Sequence, residues 1–287
     1  MKLCVIGGAG ARSAFLTKSL VKSAREIRVD HIVLLDNNEE HLRTYGQISK
    51  ELARRMEPSL TFDITSDARG ALTGADYIIT TIRAGGDAGR LFDEKTCLAH
   101  GVLGQETTGA GGFAMAIRSV PTLVYYCTLA REVSNPGHLI FNFTNPSGII
   151  TQALRSCGFA NVYGICDAPS GFIKQLEEIL NVPYGALDIE CYGLNHLSWF
   201  RNAKLDGRDV QEELLNNPRT YQHSEMRLFT REMARLSGEC MLNEYLYFYY
   251  RREKSLSMVQ KAEHPRGEMI YLINRELETQ LAQMELP

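Results

Sequence analysis

The sequence predicts an α/β protein: a Rossmann-type doubly wound parallel sheet followed by a mainly helical α+β region. Three observations carry that prediction. Short apolar runs alternate with helical patterns over roughly the first 170 residues, a glycine-rich turn follows the first run, and the texture changes beyond residue 170. The candidate strands are "KLCVI" (2–6), "HIVLLD" (31–36), "LTFDIT" (60–65), "DYIITTI" (76–82), "LIFNFT" (139–144) and "NVYGIC" (161–166). Their near-continuous Val, Ile and Leu content suits strands covered on both faces. Between them, "EEHLRTYGQISKELARR" (39–55) sets charges on one side and apolar groups on the other, and residues 113–134 read as a longer helix. Later, "SGFIKQLEEIL" (170–180) and "HSEMRLFTREMARL" (223–236) read as helices, interrupted by short strands around "DIECYGL" (188–194). The boundary falls near residue 167, giving a sheet domain over 1–167 and an α+β region over 168–287, with no Gly/Ser linker between them.

Composition bounds the function. The chain has 287 residues, is 44% hydrophobic and carries a net charge of −3, so it lacks the basic footprint of a nucleic-acid or anionic-membrane binder. "MKLCVIGG" runs straight into a strand and no run of 18 apolar residues exists, so neither a signal peptide nor a membrane-spanning helix is expected. Seven scattered cysteines without CxxC spacing suit a reduced, cytoplasmic protein in which most of them fill core.

The first candidate site is "VIGGAGARS" (5–13), between a strand and a helical pattern. Gly8 and Gly10 form G-x-G, and Ser13 stands where a third glycine is usual. Small residues here let the backbone approach a pyrophosphate, which the amides of the helix N-terminus then bind. Asp36, at the end of the second run, can accept both ribose hydroxyls and would repel the 2′-phosphate of NADP, so NAD is the expected cofactor. The plainer alternative is a strand-to-helix turn with no ligand.

A second set of polar residues falls at the carboxyl ends of the later strands, where open α/β sheets bind ligands. "TIRAGGDAGR" supplies Arg83, Asp87 and Arg90; "FNFTNPSG" supplies Asn145; "VYGICDAPSG" supplies Cys166 and Asp167; and "GLNHLSW" supplies Asn195 and His196. Each has a structural alternative: Asn145-Pro146 as a turn opener, His196 as a core histidine, Cys166 as strand filler. A thiolate and an imidazole at one mouth make a metal pair, with water or substrate oxygens completing the shell, and softness alone favours zinc. "GVLGQETTGAGG" (101–112) adds a loop rich in glycine and hydroxyls.

Taken in order, "GQETTGAGG", "NFTNPSG", "GICDAPSG", "GLNHLSW", "NEYLYFYY" (243–250) and "RGE" (266–268) span nearly the whole chain. With these motifs the chain resembles glycoside hydrolase family 4, NAD- and metal-dependent glycosidases on a lactate/malate-dehydrogenase-like fold. The resemblance implies Cys166 and His196 as ligands of a divalent metal, usually Mn²⁺. It also implies a reaction by oxidation at C3 of the sugar, deprotonation at C2 and elimination at C1. Such enzymes stand outside the two-carboxylate scheme of most glycosidases. Tyr245, in the "N-x-Y" element, becomes the C2 base, although the residues alone read as an aromatic helix stripe with Tyr247, Phe248, Tyr249 and Tyr250. A phenol, with its ordinary pKa of about 10, needs a cation nearby to serve at neutral pH. Asp167 becomes the group that protonates or orients the leaving oxygen. Asn145 and Asn195 become partners of sugar hydroxyls, with Asn145 also near the cofactor. Arg90 and Arg266 become candidates for an anionic substituent or for the cofactor and metal surroundings.

In the family, Asp after the metal cysteine resembles the 6-phospho-α-glucosidases, Asn the 6-phospho-β-glucosidases, and His the enzymes of unphosphorylated galactosides and uronides. Asp167 therefore points to 6-phospho-α-glucosides. Ala168 in place of Met and "GGAGARS" in place of "GGGS" depart from the pattern, as does the end of the chain at Pro287, which suggests a short or truncated variant. A homodimer or homotetramer is expected. The rivals are a 2-hydroxy-acid dehydrogenase using Arg90, Asn145 and His196, which would need no cysteine-bound metal, and a non-catalytic NAD- or sugar-binding protein.

Overall fold

The computed structural model describes residues 1–284 and divides into two compact units, one of 1–100, 104–165 and 263 onward, the other of 101–103 and 166–262. The first holds six parallel strands: β1 (Lys2–Ile6), β2 (His31–Leu35), β3 (Thr61–Thr65), β4 (Tyr77–Thr80), β5 (Leu139–Asn142) and β6 (Val162–Gly164). Their order is β3-β2-β1-β4-β5-β6. The direction of winding reverses between β1 and β4, and in such sheets the ligand crevice lies outside the carboxyl ends at that point.

Period-2 alternation splits the central strands between two cores. Leu3, Val5, Ile32 and Leu34 pack with Val21 and Ala53 of the Ser13–Ser23 and Gln47–Met56 helices. Cys4, Ile6, Val33 and Leu35 pack on the other face with Leu123, Cys127 and Ala130 of the Gly109–Val133 helix and Ile150 and Leu154 of the Ser147–Ser156 helix. Burial on both faces is why these strands read as continuous apolar runs. The edge strand β3 instead exposes Thr61 and Asp63.

The Gly109–Val133 helix contains an 18-residue window of mean hydropathy 1.2, long and apolar enough by composition to cross a membrane. That qualifies the expectation from unbroken apolar runs. Its buried Leu123, Cys127, Leu129 and Ala130 belong to the sheet's core.

The second unit begins with the Ala168–Leu180 helix and continues into an antiparallel sheet of β7 (Leu187–Leu194), β8 (Leu197–Leu205), β9 (Arg208–Asp209) and β10 (Met241–Leu242). The expected short strands are in fact a long hairpin, paired from Leu187↔Leu205 to Leu194↔Leu197. Its core gathers Phe172, Leu176, Phe200, Leu214, Met226 and Leu246, with Phe172 and Phe200 edge to face at 4.9 Å. The helix expected over 223–236 is broken: a 3₁₀ turn, Glu225–Leu228, gives way at extended Phe229 to the Arg231–Leu236 helix. Ser224 and Thr230 cap these pieces, accepting from the Met226 and Met233 amides.

The final helix, Arg266–Ala282, packs with the first unit, not with the second region in which the sequence texture placed it. Its attachment is polar. The Gly267 amide donates to Glu94 Oε2 at 2.7 Å and Lys95 Nζ to Glu268 Oε1 at 2.5 Å, while Asn274 donates to Asp87. A Cβ at position 267 would sit 2.6 Å from Glu94 Oε2, so only glycine lets the backbone come this close. Bonds of this kind leave no hydrophobic pattern to read.

Candidate active-site residues

In the first unit, the loop after β1 turns back over the end of β2. The Gly7 and Gly8 amides both donate to the Leu35 carbonyl, at 2.8 and 3.0 Å. Asp36 Oδ2 accepts from the Ala9 amide at 3.1 Å and Oδ1 from the Asn38 amide at 3.0 Å. Ser13 Oγ accepts from the Gly10 amide at 2.6 Å, which explains how a serine serves at the third position of the motif. A Cβ built on Gly10 meets nothing within 4 Å, so the loop has bare space beside the start of the Ser13–Ser23 helix. Gly8, Gly10, Ser13 and Asp36 are thus brought together, and they fit a dinucleotide: small residues, helix amides and a carboxylate at the strand end.

Behind the carboxyl ends of β4 and β5 lies a buried polar network that the sequence did not announce. Thr80 Oγ1 donates to Asn142 Oδ1 at 2.8 Å, and Asn142 Nδ2 to Thr151 Oγ1 at 3.1 Å. The Ile82 amide donates to Thr144 Oγ1 at 3.1 Å. This fixes the loop that carries half-buried Asn145, whose peptide to Pro146 is cis.

Arg90 is only 6% exposed and sits among carboxylates: Nε donates to Glu94 Oε1 at 2.8 Å, and Nη1 lies 3.1 Å from Glu106 Oε2. Arg83 binds the other oxygen of Glu106 at 2.8 Å and pairs with Asp87. Two guanidiniums here face three carboxylates, so the cluster offers no surplus positive charge to an anion. Its evident role is to hold the "GQETTG" loop, where Gln105 Oε1 also accepts from the Thr107 amide at 2.9 Å. Arg266 is exposed at the first position of the final helix.

In the second unit, Cys166 and Asp167 precede the Ala168–Leu180 helix, and Asn195 and His196 form the two-residue turn between β7 and β8. Cys166 Sγ lies 3.4 Å from His196 Nε2 and accepts from the Ala168 amide, also at 3.4 Å. Burial pushes the thiol pKa up, and the Ala168 amide and the Asn195 side chain pull it back. His196 is 7% exposed and holds φ at +58°, a left-handed conformation costing a non-glycine residue about 1–3 kcal/mol. Gly193 (φ +116°) makes the turn possible, since a Cβ there would lie 2.3 Å from the Leu197 carbonyl oxygen. The imidazole stacks on the Tyr245 ring, centroids 4.0 Å apart and planes 3° from parallel. Asp167 is exposed beside Cys166, its Oδ1 4.0 Å from the sulfur.

A sulfur and an imidazole nitrogen at this separation suit neighbouring positions in one coordination shell, given bonds of about 2.3 and about 2.1 Å for a first-row ion such as zinc. No group of three or more His, Cys, Asp or Glu that could hold a metal occurs among the described residues. A metal here would therefore take two ligands from Cys166 and His196 and the rest from water or substrate.

The model of "Family 4 glycosyl hydrolase" matches residues 2–182, and that of its C-terminal domain matches 191–286. A 6-phospho-beta-glucosidase of Thermotoga maritima is 30% identical over 292 residues, covering 100% of this chain and 68% of its own. A phospho-alpha-glucosidase of Clostridium acetobutylicum is 32% identical over 267 residues, covering 86% of this chain and 59% of its own. The chain thus spans roughly three fifths to two thirds of these relatives' lengths. A solved structure of the Thermotoga enzyme with manganese, NAD⁺ and glucose-6-phosphate superposes with a TM-score of 0.87 at 30% identity, covering 100% of this chain and 68% of that one.

Proposed function

Because this chain belongs to family 4 of the glycosyl hydrolases, we propose that it is an NAD- and divalent-metal-dependent glycosidase acting on 6-phospho-α-glucosides. One observation carries the reading: Cys166 Sγ and His196 Nε2 stand 3.4 Å apart, with the Tyr245 ring stacked on the imidazole. When bound, NAD supplies reversible hydride acceptance at the sugar and the divalent cation polarises sugar oxygens.

The chain's residues do the rest. Gly8, Gly10 and Ser13 seat the pyrophosphate, Asp36 binds the ribose diol, and Asn145 orients polar groups at the end of β5. Cys166 and His196 hold the cation. Tyr245 takes the C2 proton, and Asp167, exposed at the head of its helix, delivers a proton to the departing oxygen. Asn195 contributes a hydrogen bond to a sugar hydroxyl. Arg266 is the better candidate for a phosphate contact, because Arg90 is already held by Glu94 and Glu106.

Asp167 supports the α assignment, while a match to a 6-phospho-beta-glucosidase over the whole of this chain favours the β-anomer as second reading. A panel of nitrophenyl α- and β-glucosides, each with and without a 6-phosphate, tests both. Hydrolysis of the 6-phospho-α substrate is expected, requiring NAD⁺, Mn²⁺ and reductant and leaving no net NADH. Turnover of the β-anomer alone would transfer the assignment. Net NADH would return the chain to the dehydrogenases, and NAD binding without any turnover would make it a binding protein.

A further inference from the structure

Glu225 falls in the 223–236 stretch read above only as a helix, and in none of the site motifs. It opens the Glu225–Leu228 turn, is 7% exposed, and accepts at Oε2 from two donors: Asn243 Nδ2 at 3.0 Å and the Glu244 amide at 2.9 Å. Asn243, 1% exposed, passes the constraint on. Its Oδ1 accepts from the Tyr245 amide at 3.2 Å, and its own amide donates to the Ser198 carbonyl at 3.1 Å, two residues beyond His196. The Glu225 amide in turn donates to Gln175 Oε1 at 2.9 Å, on the helix that follows Cys166. One buried carboxylate is therefore bonded to the segment bearing Tyr245, and its backbone is tied to the helix that Cys166 precedes.

We propose that Glu225 is a positioning residue for Tyr245, holding the phenol ring over His196 through Asn243 and the Glu244 amide. The proposal rests on the reading of Tyr245 as the base. Stability alone does not explain an acid here. Desolvating a carboxylate is expensive, and a well-packed neutral side chain at such a site is often as good or better. Burial raises the Glu225 pKa to about 7, which measures how unfavourable the charged form is. Two donors converging on one oxygen fix the entry to Tyr245 more tightly than packing would.

The test reads the ring stack directly. In ¹³C-edited spectra of histidine-labelled protein, His196, one of seven histidines, should resonate upfield through the ring current of Tyr245, and its signal is identified by its loss in His196→Gln. Glu225→Ala should move that resonance toward the free-imidazole position. Glu225→Gln, which keeps an acceptor oxygen, should leave it near wild type. An unmoved His196 in folded Glu225→Ala, or a Glu225→Gln spectrum displaced as far, overturns the proposal. Should Glu225→Ala fail to fold, Asn243→Ala cuts the same link and is expected to give the same displacement. In the holoenzyme, Glu225→Ala should lower kcat about 10-fold with KM unchanged, and should cost nothing further in a Tyr245→Phe background. If Tyr245→Phe itself keeps full activity, the base reading falls while the spectra still decide the positioning.

Discussion

The loop at residues 7–13 offers a ligand bare space beside the start of a helix, whereas the turn at Asn195 and His196 offers a ring nitrogen on a left-handed backbone. The loop is made by leaving side chains out: Gly10 has no neighbour a Cβ would touch, and Ser13 turns its hydroxyl onto the loop itself. The turn is made by keeping a side chain in, at a position where φ of +58° would favour glycine or asparagine. Backbone-built sites are generic to a fold, so the glycine spacing betrays them. Side-chain-built sites depend on partners distant in sequence, here residues 166, 196 and 245, and no local spacing reveals them.

Substitutions can pull the two apart. The largest effect is expected from Cys166→Ala and from His196→Gly, which should abolish Mn²⁺ binding and lower turnover by roughly 10³-fold or more, with NAD affinity unchanged by calorimetry. His196→Gly relieves the strained φ, so its thermal midpoint should stay within a few degrees of wild type. A parallel loss of NAD binding would mean the two sites are not separable. Tyr245→Phe should follow at about 10²–10⁴-fold in kcat with Mn²⁺ still bound, the range for removing a general base.

Asp36→Ala acts on the other side of the comparison. It removes both the proposed ribose partner and the acceptor for the Ala9 amide, and should weaken NAD by about 1–3 kcal/mol, roughly 5- to 150-fold in Kd, while Mn²⁺ titration is unmoved. Gly10→Ala is subtler. Nothing in the structure obstructs the methyl group, so stability should hold or rise by about 0.4–1 kcal/mol, yet NAD should bind several-fold more weakly if its phosphates approach this backbone. A variant with unchanged NAD affinity would remove Gly10 from the site.

A pH dependence confined to the second unit is also expected. Glu225 faces Asn243 and the Glu244 amide, which donate to it, and senses the charges of Glu244, Arg227 and Cys191. Its carboxyl pKa, raised from the ordinary 4.5 to about 7, makes the folded state bind a proton that the unfolded chain has released. The associated stability is complete below about pH 4.5 and is lost as pH rises through about 7. Wild type should therefore lose thermal stability relative to Glu225→Gln between about pH 5 and pH 8. Parallel curves would show that the carboxyl titrates normally.

The sheet was legible because its central strands are buried on both sides. All six fall within the expected runs, trimmed by up to three residues where polar groups such as Thr81 and Asn161 turn to loop partners. The hairpin was harder to read, since β7 exposes most of one stretch, and Glu190 and Cys191 give no alternation to mark a strand of eight residues. Thr230 hid a helix break because its capping role depends on Phe229 being extended. At the sites, the glycine loop and Asp36 were visible as spacing, Cys166 and His196 as a thiol and an imidazole expected at one mouth of the sheet, and Tyr245 only through family likeness. Arg90 was legible as a residue, but not its burial between Glu94 and Glu106. Glu225 left no trace at all, since its importance lies in which amides happen to reach it.

Asp36 grips the Ala9 amide, and Ser13 the Gly10 amide, through bonds made within the chain itself. The loop's conformational entropy is therefore surrendered when the chain folds and not when a ligand arrives. Capture of a dinucleotide by such a loop is a docking event, not a folding event. Its association rate should be set by diffusion and show little dependence on viscosity-insensitive rearrangement, and affinity differences among nucleotide analogues should appear in how fast they leave.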